Sequence, residues 1–249
     1  MQRTYLIPTI EEIWKKEQNE LFEHFHNQDL VVLGDGRMDS PGHSAQYCSY
    51  TLMEMISKKI LCIITMDKRM TERKSTNLEK ACFKIGLQFL LDKGMKIIEV
   101  VTDAHIQVEA LMKREYPNIK HSFDIWHGAK NLGKKVIKAG QEKGNKSLLD
   151  WTRDVVNHYW YSAEISKTTD ESTAGLENFQ NLILKYASKR HSYNPPSYRA
   201  RNFLAALDHN ANCQRNTFLN KDGSTRYQRY YSKKGGRWST YALREDKKL

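Results

Sequence analysis

The chain has 249 residues, 39% hydrophobic and 28% charged, with 8 Phe, 13 Tyr and 5 Trp available to build a core. That length suits one domain with a small appendage, and the composition is too apolar for a disordered chain. The longest apolar run, Ile60–Thr65, falls far short of the ~20 residues a spanning helix needs, which excludes a transmembrane helix protein.

Residues 1–28 read as a helical lead-in, with Ile10, Ile13, Trp14, Leu21 and Phe22 on one face. The first stretch, Met1–Pro8, has no signal-peptide core. Asp29–Asp35 is a nearly continuous apolar run and predicts a buried first strand, followed by a loop from Gly36 to Gly42. Tyr47–Glu54 and Lys59–Thr65 predict a second and a third strand, joined as a hairpin at Ser57-Lys58. Thr76 and Glu79 form a capping box that opens a helix carrying Leu78, Cys82, Ile85 and Phe89, and Gly94 ends it.

Lys96–Asp103 is a fourth strand that ends in an acid. A helix from Ile106 to Tyr116 stops at Pro117, Ile119–Asp124 is a fifth strand, and a basic helix runs from His127 to Ala139. Leu148, Trp151, Val155 and Tyr159 mark a further helix, and Leu176–Ala187 and Arg199–His209 two more. Short strands around Tyr230 and Trp238, joined at Lys234–Gly236, complete the series. Cys48, Cys62, Cys82 and Cys213 form no C-x-x-C pair, so they read as small buried hydrophobes of a reducing, intracellular protein.

Three strands with hairpin-length joins suit an antiparallel meander, and two helix-linked strands add in parallel through right-handed crossovers. The expected product is an α/β fold: a mixed five-stranded sheet of order 3-2-1-4-5, flanked by helices. In that order the first and fourth strands are neighbours, and Asp35 and Asp103 meet at one end of the sheet, at a switch in strand order. Two acids side by side repel, and a divalent cation with hard oxygen ligands, Mg²⁺ or Mn²⁺, resolves the conflict. A third carboxylate from a helix would complete a two-metal site for in-line phosphoryl transfer. Asp124 and His127 form a D-x-x-H that either supports a metal or phosphate, or caps the following helix with His127 packed beside Trp126. Gly34-Asp-Gly-Arg37 is no phosphate loop; its glycines allow a close approach to backbone or substrate.

Charge is distributed unevenly. Forty Lys and Arg against 29 Asp and Glu give +11, and all of that excess lies from Lys185 onward. There the cations are interleaved with Tyr186, Tyr193, Tyr198, Tyr227, Tyr230, Tyr231, Trp238 and Tyr241. Such a segment either binds phosphate backbone and unstacked bases or forms a solvated tail whose aromatics pack on the body. The nucleic-acid-binding candidates are Lys185, Lys189, Arg190, Arg199, Arg201, Arg226, Arg229, Lys233, Lys234 and Arg237.

The stretch Leu33–Tyr47, Gly-Asp-Gly-Arg-x-Asp-Ser-Pro-Gly-His-Ser-Ala at its centre, resembles the opening of transposase-derived proteins of animal genomes. Val101–His105, Tyr116–Ile119 and Phe123–Lys130 resemble the second-acid region of DDE transposases, related to bacterial insertion-sequence, Mutator and hAT elements. Gly175–Gln180 is similar to the helix that bears their final acid, and Leu184–Arg190 and Leu204–Asn210 also look like this family. The resemblance covers most of residues 5–245 and implies a ribonuclease-H-like fold. It implies Asp35, Asp103 and Glu177 as catalytic metal ligands for Mg²⁺ or Mn²⁺, with Asp124 and His127 accessory.

The organisation it implies is a lead-in over 1–28, a ribonuclease-H-like DDE domain over 29–190 and a basic aromatic extension over 191–249. The helical insertion at about 140–172 is shorter than the family's, and the polar segment Tyr161–Gly175 is expected to be mobile. No DNA-reading module precedes the first residue, so the expectation is a fragment, a domesticated derivative or a decayed copy. The expected function is metal-dependent cleavage and strand transfer on DNA in the nucleus, with DNA and a second copy of the chain as partners and neither membrane nor small-molecule substrate. The alternatives are a non-catalytic nucleic-acid-binding protein and a ribonuclease-H-like nuclease.

Overall fold

The structure, a computed structural model, describes residues 2–39, 45–71, 77–165, 174–233 and 235–247. Thr76 of the expected capping box, Ser40–Ser44 of the glycine-rich motif, Lys234 and most of the segment before Gly175 lie outside the described residues. Helix α1 (Ile7–His24) leads into β1 (Asp29–Asp39), β2 (Tyr47–Glu54) and β3 (Ile60–Asp67). Helix α2 (Leu78–Asp92), β4 (Lys96–Thr102), α3 (Ile106–Glu115) and β5 (Lys120–Phe123) follow, then α4 (Ile125–Gly140) and α5 (Ser147–Ile165). Helices α6 (Ala174–Tyr186) and α7 (Pro195–Asn212) precede the hairpin strands β6 (Tyr227–Ser232) and β7 (Arg237–Ala242).

The five-stranded sheet has the order β3-β2-β1-β4-β5. β1 pairs antiparallel with β2, and β2 with β3; β4 joins β1 in parallel, and β5 joins β4 in parallel. Alternation along the strands splits the core in two. Leu30, Val32, Tyr50, Leu52 and Val100 face α2 and α3, where Phe83, Leu87 and Leu111 pack. Leu33, Met53 and Val101 face the other way, onto Leu176, Phe179 and Ile183 of α6 and Ala205 and Ala206 of α7. This period of two sets the site: Asp35 shares the face of Leu33, whereas Gly34 and Gly36 face α2.

The structure moves several expected boundaries. Gly36–Asp39 is strand and not loop, because it continues to pair with Tyr47–Tyr50. Its polar side chains are satisfied inside. Arg37 Nε donates to Asp39 Oδ2 at 2.6 Å, and Tyr198 Oη donates to the same oxygen at 2.6 Å. Ile13 and Ile85, assigned above to apolar faces, are about half exposed; the buried faces run through Ile10, Trp14 and Leu21 on α1 and Leu78, Phe83 and Leu87 on α2. Asn77, not Thr76, occupies the α2 N-cap, with no side-chain cap bond. Helix α7 opens at Pro195, where Asn194 Oδ1 accepts from Ser197 N at 3.0 Å. Helix α1 packs along α7: Trp14 stacks on Phe203 with centroids 5.7 Å apart, and Arg199 pairs with Glu11 at 2.6 Å.

Burial works to raise the Asp39 carboxyl, but the bonds from Arg37 and Tyr198 and the Arg37 charge outweigh it and hold Asp39 below the usual carboxylate value. A depressed folded-state value means stability that is present above the unfolded value of ~3.9 and is lost as pH falls through the folded value. Asp39→Asn is therefore expected to lower the melting temperature at neutral pH. The gap to the parent should close as melting is repeated at successively lower pH below ~4. A gap that stays constant with pH would show that the loss is one of shape and not of charge.

Candidate metal centre

β1 and β4 run in parallel, and their last paired residues are Gly34 and Thr102. The next residue of each chain is an acid, Asp35 and Asp103, on strands that lie ~4.8 Å apart. Burial pushes the Asp35 carboxyl up; Asp103 raises it further, His127 lowers it, Glu79 raises it and the Gly36 N–H lowers it, so that it sits at about 7. Asp103 is also raised, first by burial and then by Asp124 and Glu177, against the lowering charges of His127 and Lys130.

Asp124 and His127 both join this end of the sheet; the capping alternative for the D-x-x-H motif is the one observed, and the metal alternative is compatible with the same positions. Asp124 is the N-cap of α4, its Oδ1 accepting from Trp126 N at 2.9 Å. Its other oxygen accepts from His127 Nδ1 at 2.6 Å. The same nitrogen lies 2.7 Å from Asp103 Oδ1, and His127 packs edge-on to Trp126. One potential ligand atom each from Asp103, Asp124 and His127 falls within 4.8 Å of the others. This potential metal group shares Asp103 with the set expected from the sequence and includes the expected accessory residues Asp124 and His127, but neither Asp35 nor Glu177.

Glu177 stands in the first turn of α6, and α6 is fixed by burial of Leu176, Phe179 and Ile183 against the sheet. Its Oε1 lies 3.8 Å from His127 Nε2, and its side chain is 40% exposed. One turn on, Gln180 Nε2 donates to Asp35 Oδ2. Helix α6 thus supplies both an acid and an amide to the strand pair.

Three neighbours were not singled out from the sequence. Gln180 lies inside the Gly175–Gln180 motif but was passed over as a neutral residue. Glu79, read as a capping partner, leans over Gly36: a Cβ built there would meet Glu79 Cγ at 2.7 Å. Glycine at 36 is what gives this side chain its room. Burial raises the Glu79 carboxyl, His105 lowers it and Asp103 raises it. His105 Nε2 lies 3.8 Å from Glu79 Oε2. The signal for Glu79 was available in principle, since a capping acid after the third strand points toward the strand ends.

The donor set suits a hard divalent cation. Asp103 Oδ1 is buried and accepts no aligned hydrogen bond among the described residues, beside a second carboxyl held near neutrality. Buried oxygens of this kind are costly without a counter-charge.

The basic candidates divide into two groups. Lys189 lies 3.1 Å from Asp39, Arg199 pairs with Glu11, and Arg201 donates to Tyr186 O and covers the Tyr193 ring. Lys185 and Arg190 are exposed on the same side of the chain order. Arg226, Arg229, Lys233 and Arg237 belong to the β6–β7 hairpin or its flanks.

Fold and site together define an α/β protein with an acidic, metal-competent cluster at the switch point of a mixed sheet. The sequence matches no protein-family model and no curated protein. No helix among the described residues is long and apolar enough to cross a membrane.

Proposed function

We propose that the chain is a DDE-type polynucleotidyl transferase domain of ribonuclease-H-like fold, related to the transposase-derived proteins of animal genomes, and that it cuts and joins DNA in the nucleus. One observation carries the reading: Asp35 and Asp103 end two adjacent parallel strands, and α6 sets Glu177 3.8 Å from His127, whose other ring nitrogen lies 2.7 Å from Asp103. Asp35, Asp103 and Glu177 would hold Mg²⁺ or Mn²⁺, with Asp124 and His127 beside them. Metal ions held there supply Lewis acidity to the scissile phosphate and lower the pKa of the attacking water or 3′-hydroxyl.

The protein's own residues provide the positioning. Asp124 holds the His127 ring through Nδ1, which leaves Nε2 facing Glu177. Gln180 fixes the rotamer of Asp35 by the hydrogen bond that its side-chain amide donates. Glu79 adds negative charge on the opposite side of β1 and strengthens the demand for a cation.

The test is nicking of supercoiled plasmid by the full chain with Mn²⁺ or Mg²⁺, against an EDTA control, alongside calorimetric Mn²⁺ titration. Mn²⁺ binding and EDTA-sensitive nicking are expected. Glu177→Gln is expected to reduce nicking ~100-fold while weakening Mn²⁺ binding only a few-fold, because the isosteric amide removes one charge while Asp35 and Asp103 still hold the ion. Glu79→Gln, a change beside the ligands, is expected to reduce nicking ~10-fold. A pure parent chain that binds Mn²⁺ and DNA but never nicks would overturn the catalytic reading in favour of a non-catalytic binding protein. Unchanged nicking in Glu177→Gln would make Glu177 an ordinary helix residue.

A further inference from the structure

The β6–β7 hairpin presents a chemistry that the acidic cluster does not explain. From Arg226 to Ala242 the sequence holds Arg226, Arg229, Lys233, Lys234 and Arg237, five aromatics and no acid. The strands pair in antiparallel register, Tyr231 opposite Trp238 and Gln228 opposite Tyr241. Residues directly opposite share a face, so Tyr227, Arg229, Tyr231 and Trp238 lie on one face and Tyr230 and Tyr241 on the other. The Tyr231 and Trp238 rings meet edge-on at 5.6 Å, and those of Tyr230 and Tyr241 at 5.7 Å.

Cross-strand aromatic pairs stabilise a hairpin, but that role needs only modest exposure and one face. Here both faces are open: Trp238 is 69% exposed and Tyr231 51% on one, and Tyr230 48% and Tyr241 45% on the other. The cations show the same division. Arg215 donates to Glu245 O, Arg244 to Cys213 O, and Lys247 pairs with Asp208 at 2.9 Å, so these three tie the hairpin's base to the body. Arg226, Arg229, Lys233 and Arg237 make no ion pair among the described residues. Arg229 stands between Tyr227 and Tyr231 on one face, where successive same-face residues are ~6.8 Å apart.

We propose that this hairpin is a docking platform for single-stranded nucleic acid, with bases stacked on Tyr231, Trp238 and Tyr227 and the phosphate backbone met by Arg229 on the same face. Charge complementarity selects a polyanion. The open aromatic faces select unpaired bases, because a duplex keeps its bases stacked inside and offers these rings nothing to cover. The platform is independent of the metal cluster and binds without metal.

The experiment measures fluorescence anisotropy of a labelled oligothymidylate and of a duplex of equal length, using the full chain in EDTA. The parent is expected to bind the single strand more tightly. Trp238→Ala combined with Tyr231→Ala is expected to weaken single-strand binding ~10-fold or more and duplex binding far less. Trp238→Phe with Tyr231→Phe should retain the affinity. Arg229→Gln should weaken both ligands and flatten the single-strand salt dependence by a slope of ~0.7. The measurement is made in EDTA, so failure of the metal reading leaves this result untouched. The main melting transition of the variants should match the parent's, since none of these rings belongs to the buried cores.

Single-strand binding by the double alanine variant equal to the parent's would overturn the proposal. So would a parental preference for duplex. Sedimentation that shows self-association lost in the double alanine variant, with oligonucleotide affinity unchanged, would reassign the face to a second copy of the chain.

Discussion

Asp103→Asn is expected to abolish measurable Mn²⁺ binding and to lower plasmid nicking roughly a thousandfold, the rate equivalent of about 4 kcal/mol of lost transition-state stabilisation. Asp103 belongs both to the strand-end pair with Asp35 and to the tight group with Asp124 and His127. The amide keeps the size but loses the charge, and it can set an NH₂ 2.7 Å from His127 Nδ1, where a carboxylate oxygen stood. Asp35→Asn should lose nicking to a similar degree, since it removes the carboxyl that burial and Asp103 hold near neutrality. Folding should survive both changes and offers an internal control: removing one of two repelling acids relieves a repulsion, so neither variant should melt below the parent. If Asp103→Asn nicks as well as the parent in preparations free of contaminating nuclease, the metal reading fails. If it melts well below the parent, the acid is a structural element of the β4 end.

The largest loss of stability is expected from Phe83→Ala. Phe83 is fully buried on α2, with its ring edge-on to Tyr50 at 5.4 Å. Removing a buried Phe leaves a cavity and costs about 3–5 kcal/mol. Against a typical total of about 5–15 kcal/mol that is roughly a fifth of the stability or more. A chain of this size should lose ~10 °C in melting temperature. Urea unfolding should show a lower midpoint with an unchanged slope, since the surface exposed on unfolding stays the same. Phe83→Met fills most of the volume and should cost less than about 1.5 kcal/mol. The effect should also reach the site, because Tyr50 fills the space beside Gly34, one residue before Asp35. A loss below ~1 kcal/mol for Phe83→Ala would mean that the core collapses around the gap.

The sheet was legible because its determinants are local. Apolar runs bounded by turn residues mark strands, and the length of each join separates antiparallel from parallel pairing; β2 falls on the expected residues from end to end. The strand-end acids followed from the same logic. What local pattern hid was polar residues satisfied from far away. Arg37 and Asp39 read as loop because their partners, Gln180 O and Tyr198, come from α6 and α7. Helix faces were less well placed than helices, as Ile13 and Ile85 show, since a hydrophobic residue can lie beside the buried stripe. Glu177 was reached through a resemblance and not through spacing. Glu79 was missed because its capping role and its place over Gly36 are the same position seen at two scales.

The clasp between α1 and α7 gives the molecule an order in time. Glu11 and Arg199 lie 188 residues apart in the chain. At a synthesis rate of ~5–20 residues per second, roughly 10–40 s separate the appearance of the two partners on a ribosome. Throughout that interval Trp14 has no Phe203 to stack on. Leu21 and Phe22 can pack on the sheet earlier, whereas Ile7 and Ile10 are covered only once Ala200 and Phe203 have been made. The two ends of the packed body therefore meet only late in synthesis.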